Sequence, residues 1–206
     1  MNISLKKISI IGLGLIGTSI LHSIRQKLNE EIVTYAYDIE PEHRGIVSEM
    51  GIASFVCDNI SDAVKDAELV ILAIPVGSME TVAKLISPHL KANAIITDTG
   101  STKASVIKDV SINLPNNVFF IPSHPIAGTE FSGPKAGFGS LFENRYWLIV
   151  SEVENENIYK LSNFFSNLGS KVEIVSIDYH DKILAITSHL PHLIAYTIVG
   201  TASDLE

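Results

Sequence analysis

From residue 5 to about residue 120, short β-branched runs alternate with stretches of helical spacing, and no other feature constrains the fold as much. The strand-like runs cover 5–11, 32–37, 69–74, 94–98 and 118–121. Helical spacing fills 15–26, 41–50, 78–86 and 102–110. Strands that are apolar throughout and separated by helices pair in parallel, because the crossover helices bury both faces of the sheet. Pro41 suits a first helical position, and Gly51 and Pro88 suit helix stops. The pattern predicts a doubly wound α/β fold with a parallel sheet.

Between residues 121 and 145 the alternation breaks. Four glycines (Gly128, Gly133, Gly137, Gly139) and three prolines (Pro122, Pro125, Pro134) make a long irregular segment. Phe131, Phe138, Leu141 and Phe142 give it enough apolar surface to be ordered, so it reads as a loop that shapes a site. A strand is predicted over 146–150, an amphipathic helix over 154–168 and a last strand over 171–175. Residues 176–206 read as one long helix, apolar on most sides and kinked at Pro191. Such a helix needs a large packing partner, and the lack of a cap at residues 201–206 predicts that the natural protein continues.

Composition narrows the partners. The formal charge is -8, from 15 Lys and Arg against 23 Asp and Glu, which opposes binding to a nucleic-acid backbone. Cys57 is the single cysteine, so an internal disulfide and a cysteine-based zinc site are excluded; it reads as a small buried hydrophobe. The apolar run 8–24 after Lys6 and Lys7 imitates a signal peptide. Gly12, Gly14 and Gly17, with Thr18, Ser19 and His22, interrupt it. No later stretch has the length to span a bilayer, so a cytoplasmic protein with no membrane or nucleic-acid partner is predicted.

Gly12-Leu13-Gly14-Leu15-Ile16-Gly17 matches G-x-G-x-x-G directly after the first strand. The first glycine permits the tight turn, the second admits a pyrophosphate to the backbone, and the third lets helix and strand approach. The amides at the start of the next helix would face the phosphates. Asp38 closes the second strand about twenty residues on, where its carboxylate would take the ribose hydroxyls and repel a 2′-phosphate. NAD is therefore expected over NADP. Arg44 nearby is the feature that would favour a phosphate, and a helix-capping role is the plain alternative for Asp38. Ala73-Ile74-Pro75 ends the next strand where such a sheet opens its ligand crevice, completing a Rossmann dinucleotide-binding unit.

Ser123-His124-Pro125-Ile126-Ala127-Gly128-Thr129-Glu130 follows the last strand of that unit. An imidazole titrates near neutral pH and can take the proton of an alcohol, which is half of an alcohol oxidation. Thr97-Asp98-Thr99-Gly100-Ser101-Thr102-Lys103 and Ser188-His189-Leu190-Pro191-His192 should converge on the same place. Plainer roles exist for each: Ser101 as a helix cap, His124 as a loop residue, His192 as a polar core residue. The residues read as a dehydrogenase, and no cluster suggests a metal ligand set.

Taken in order, these motifs and Leu141-Phe142-Glu143-Asn144-Arg145 resemble the prephenate/arogenate dehydrogenase family over essentially the whole chain. The resemblance implies NAD(P)-dependent oxidation of the ring hydroxyl of prephenate or arogenate, with loss of carbon dioxide and aromatisation. It implies His124 as the catalytic histidine and Ser101 as a catalytic, substrate-orienting serine. It places His192 on the substrate side chain and Thr129 and Glu130 at the substrate or pocket mouth, with His189 structural. It further implies a Rossmann domain over 1–175 and, over 176–206, the start of an all-helical dimerisation domain that forms a homodimer. The family's carboxylate-binding arginine would lie past residue 206. Two other readings stay open: a β-hydroxyacid-type dehydrogenase using Lys182, and an NAD-binding module without chemistry.

Overall fold

A computed structural model describes residues 5–28, 31–186 and 190–203. Six parallel strands form the main sheet: β1 (Lys7–Ile11), β2 (Val33–Tyr37), β3 (Phe55–Val56), β4 (Leu69–Leu72), β5 (Ile95–Asp98) and β6 (Phe119–Phe120). Their order is β3-β2-β1-β4-β5-β6, the doubly wound arrangement, with direction of winding reversing between β1 and β4. Helices α1 (Leu15–Lys27), α2 (Pro41–Met50), α3 (Ile60–Val64), α4 (Met79–Ile86) and α5 (Ala104–Ser111) make the crossovers.

Strand alternation splits the core into two layers. Ile8, Ile10, Leu69, Ile71 and Ile95 face one cluster, whereas Ile11, Val70, Leu72 and Ile96 face the other. Successive side chains point to opposite faces, so a strand apolar at every position belongs between two helical layers. On the second face, Met79, Ala83 and Ile86 of α4 and Val106 and Val110 of α5 recur at helical spacing against the sheet.

The chain after β6 does not extend this sheet. Instead β7 (Ser123–Pro125), β8 (Tyr146–Val150) and β9 (Lys171–Val175) form a separate three-stranded sheet, antiparallel between β7 and β8 and parallel between β8 and β9. Helix α6 (Glu156–Asn167) packs on it through Phe165, which stacks on Trp147 at 3.8 Å between ring centroids. The irregular segment is docked on α1: Ser23 Oγ donates to Gly139 O at 2.7 Å, and Phe138 N donates to Ser19 Oγ at 3.1 Å. This explains why α1 buries serines on a face that would otherwise be apolar.

After β9 the described residues are helical over α7 (Ile177–Leu184) and α8 (Leu190–Ser203), and residues 187–189, where the expected single helix would run on, lie outside the described residues. Pro191 is the second residue of α8, and the kink expected there falls beside residues outside the described ones. Three short elements, β3, α3 and β7, also escape periodicity, because two to five residues carry too little pattern. Cys57 is half-buried and unpaired, and burial pushes its thiol up.

Candidate active site

The turn after β1 is built by its glycines. Gly12 has φ +98°, and a Cβ there would collide with the Ala73 carbonyl; one on Gly17 would collide with the Gly12 carbonyl. At Gly14, nothing lies within 4 Å of the added Cβ. Gly17 thus closes the turn on itself, Gly12 packs it against the end of β4, and at Gly14 the backbone faces open space. No side chain caps α1, so the amides of its first turn, Leu15, Ile16 and Gly17, remain for a ligand.

Asp38 is buried at the end of β2. Its Oδ2 accepts from Leu13 N at 2.6 Å and lies 3.3 Å from His43 Nδ1, and its Oδ1 accepts from Glu40 N at 2.9 Å. It does not cap α2, whose N-cap is Glu40. Arg44 is engaged: its guanidinium donates to Asp38 O at 2.8 Å and pairs with Asp58 at 3.5 Å. A cavity of about 520 Å³ is lined by Gly12, Gly14, Asp38, Ala73, Ile74 and Pro75 among others. Six of the predicted cofactor residues thus line one cavity at the point where the winding reverses, outside the carboxyl ends of β1 and β4, whereas Leu13, Leu15, Ile16 and Gly17 do not line it.

The turns after β4 and β5 are joined at the same sheet edge. Thr99 N donates to Leu72 O at 3.1 Å, and a Cβ on Gly100 would stand 3.1 Å from Val76. Asp98 then fixes the start of β7. Its Oδ1 accepts from Ser123 N at 3.2 Å, its carbonyl from Ser123 Oγ at 2.8 Å, and its Oδ2 from Gly100 N at 2.8 Å and from Lys103 Nζ. Lys103 Nζ also donates to Ser123 O at 2.7 Å, and Trp147 Nε1 to Ser123 Oγ at 3.0 Å. Asp98 and Lys103 have no exposed surface. Loss of water pushes the Asp98 carboxyl up and the Lys103 amine down, and each charge limits the other's shift.

His124 follows this clamp. Its Nδ1 lies 3.1 Å from His180 Nε2, and His180 Nδ1 lies 2.7 Å from Asp181 Oδ1. Asp181 also accepts from Lys103 N and Ala104 N, both at 2.9 Å. Burial lowers the His180 pKa against the opposing pull of Asp181. Burial alone would raise Asp181, but bonds from Ala104 N, His180 and Lys103 N outweigh it and hold the carboxyl below its usual range.

A cavity of about 850 Å³ is lined by His124, Thr129, Glu130, Phe138, Arg145 and Tyr196 among others. The structure thus brings Thr129 and Glu130 to the predicted histidine. Ser101 is exposed on the turn after β5 and is not among the residues lining that cavity. His192 lies on α8, with its side chain outside the described residues, as are Ser188 and His189. Sequence reasoning gave no role to His180, Asp181, Asp98 or Lys103. Tyr179-His180-Asp181 carries a visible histidine–carboxylate pair, yet only the tertiary fold brings it to His124.

A dinucleotide-type crevice at the carboxyl edge of a doubly wound sheet defines a nucleotide-binding α/β protein. The chain belongs to the prephenate dehydrogenase family: the model of that family's nucleotide-binding domain matches residues 21–174. It is similar to the cyclohexadienyl dehydrogenase of Zymomonas mobilis, with 40% identity over 98% of this chain and 69% of that protein. Prephenate dehydrogenase from Lactococcus lactis is 34% identical over 97% of the chain. The chain spans just over half, 55%, of that relative's length. Among solved structures, prephenate dehydrogenase from A. aeolicus in complex with hydroxyphenyl propionate and NAD+ superposes with a TM-score of 0.87. Identity there is 30%, over 98% of this chain and 70% of that one.

Proposed function

We propose that this chain performs the NAD-dependent oxidative decarboxylation of prephenate, arogenate or both, with His124 as the proton acceptor. The observation that carries this reading is the place of His124. It is clamped through Ser123 to the turn after β5, at the sheet edge that also opens the crevice. Support comes from the family and from the named ligands of the A. aeolicus structure. Family membership favours this reading over a β-hydroxyacid-type enzyme using Lys182, and the hydrogen-bonded His124 favours it over a module without chemistry.

The open face at Gly14, the amides of Leu15, Ile16 and Gly17, and Asp38 fit a dinucleotide. Bound NAD supplies the hydride acceptor. His124 takes the hydroxyl proton as the ring carbon becomes a carbonyl. The C1–carboxylate bond of the dienone then breaks, carbon dioxide leaves, and its electron pair completes the aromatic ring as a phenolate. The same proton returns to that oxygen, so the protein manages one borrowed proton and no net uptake. Ser101 orients the hydroxyl, and His192, Thr129 and Glu130 contact the substrate. Arg44 is held by backbone carbonyls and Asp58, which favours NAD over a cofactor bearing a 2′-phosphate.

The protein acts as a cytoplasmic homodimer in this reading. The exposed apolar side chains of α8 support the second copy. Prephenate-dependent reduction of NAD by the intact protein tests the activity, with arogenate as the parallel substrate. His124→Asn should lower turnover by about 10²–10⁴-fold while NAD affinity stays the same. Absence of reduction with both substrates, or equal turnover by the variant, defeats the reading.

A further inference from the structure

We propose that Asp181 and His180 act as a positioning pair for His124, fixing its tautomer so that Nδ1 carries the hydrogen and Nε2 the lone pair. The inference rests on the reading of His124 as proton acceptor. The polarity of each bond is forced by the one before it. Asp181 sits at the N-terminal end of α5 and accepts two backbone amides there, Lys103 N and Ala104 N. Those bonds, and the positive end of the helix dipole, keep it an anion that only accepts. His180 Nδ1, at 2.7 Å from Oδ1, must therefore be the donor.

His180 is 1% exposed, and burial favours its neutral form. A neutral ring protonated at Nδ1 has a lone pair at Nε2, and this nitrogen meets His124 Nδ1 at 3.1 Å. His124 must donate from Nδ1, which leaves Nε2 as its basic nitrogen. The bond survives catalysis unchanged, because an imidazolium still donates from Nδ1. The Asp181 charge, two hydrogen bonds along the chain, stabilises that cation.

The ring plane is fixed as well. The two imidazoles meet edge to face, at 61° between planes and 5.3 Å between centroids. His180 rides on α7, whose start is held by Ser176, the carbonyl of which accepts from His180 N at 3.0 Å. Asp181 also ties α7 to the turn that carries Ser101, two residues before Lys103. The pair thus sets the distance between helix and sheet edge at the residues proposed for chemistry. A purely structural role, in which His180 only fills and satisfies the core, would leave the His124 tautomer indifferent to it.

The test is nitrogen-detected NMR of the intact, NAD-bound protein labelled with 15N-histidine, read beside steady-state kinetics. His124 should report a protonated Nδ1 and an unprotonated Nε2. His180→Gln presents an amide oxygen to Nδ1 and should keep that pattern. His180→Phe should shift His124 toward the Nε2–H form and lower kcat by about 10²-fold, with substrate KM changed by less than about threefold. An Nε2–H pattern in the unsubstituted protein overturns the inference, whether or not either variant folds. So does an unchanged tautomer in folded His180→Phe. Because the tautomer is read without substrate, lack of turnover would count against the proposed reaction alone.

Discussion

Removing the amine of Lys103 would leave a carboxylate with no exposed surface and no counter-charge beneath the start of β7. Lys103→Met should therefore cost about 3–5 kcal/mol in urea unfolding, and pairing it with Asp98→Asn should recover much of that loss, since no buried charge remains. A second residue-scale consequence concerns His180. Its pKa is depressed in the fold, chiefly by burial, so the unfolded chain binds the proton more readily. The stability it contributes is complete above the unfolded histidine value and is lost as pH falls through the lower folded one. The urea midpoint should accordingly drop more between pH 7.5 and pH 5.5 for the unsubstituted protein than for His180→Gln. Equal slopes would show that His180 is not held neutral. Asp38 joins both concerns: Asp38→Ala orphans the buried Leu13 N–H, about 1–3 kcal/mol. It should also narrow the preference for NAD over NADP in a binding titration. The position of Asp38 was legible in the sequence because it depends only on the end of a strand. The His124–His180 contact was not, because 56 residues separate the partners and no local pattern links them.

The glycine turn makes a sharper claim at the scale of an element. Gly12→Ala and Gly17→Ala each drive a Cβ into a backbone carbonyl, and Gly12 adds the strain of φ +98°. Both should lower the melting temperature clearly. Gly14→Ala meets open space, so its melting temperature should stay close to the parent's while NAD affinity falls about tenfold or more. A melting loss at Gly14 equal to that at Gly12 would show that the middle glycine is structural. The close approaches at Gly12 and Gly17 were legible in the motif, since each answers a local requirement. Strand β4 was readable because burial on two faces demands apolar residues at every position, and β1, β2 and β5 were readable from their β-branched and aromatic runs despite Ser9, Thr34 and Thr97. β7 was not readable, because three residues within a Pro/Gly-rich segment have no period. What makes them a strand is antiparallel pairing with Trp147, Leu148 and Ile149, more than twenty residues later. The serines of α1 were equally opaque, their partners being the backbone of a loop over a hundred residues away.

At the scale of the whole molecule, α8 is the element whose surface least suits exposure. Leu193, Ile194 and Ile198 are at least half exposed, and Tyr196 is three-quarters exposed, on a helix without a charged residue. Fully burying a side chain of that size stabilises by roughly 1.5–3 kcal/mol, so covering this face against a second copy would contribute to its association. Tyr196 also lines the cavity that His124 lines, so the same helix borders the proposed substrate site and carries the exposed apolar face. Dimerisation and turnover should then be coupled. Leu193→Lys with Ile194→Lys should convert the intact protein to a monomer in sedimentation velocity, leave NAD affinity within about twofold and depress turnover. The unsubstituted protein should lose specific activity on dilution below its dimer dissociation constant, while NAD binding does not change. A monomeric parent, or activity independent of dilution across the dissociation, would separate α8 from the catalytic unit. The helix would then need some other covering.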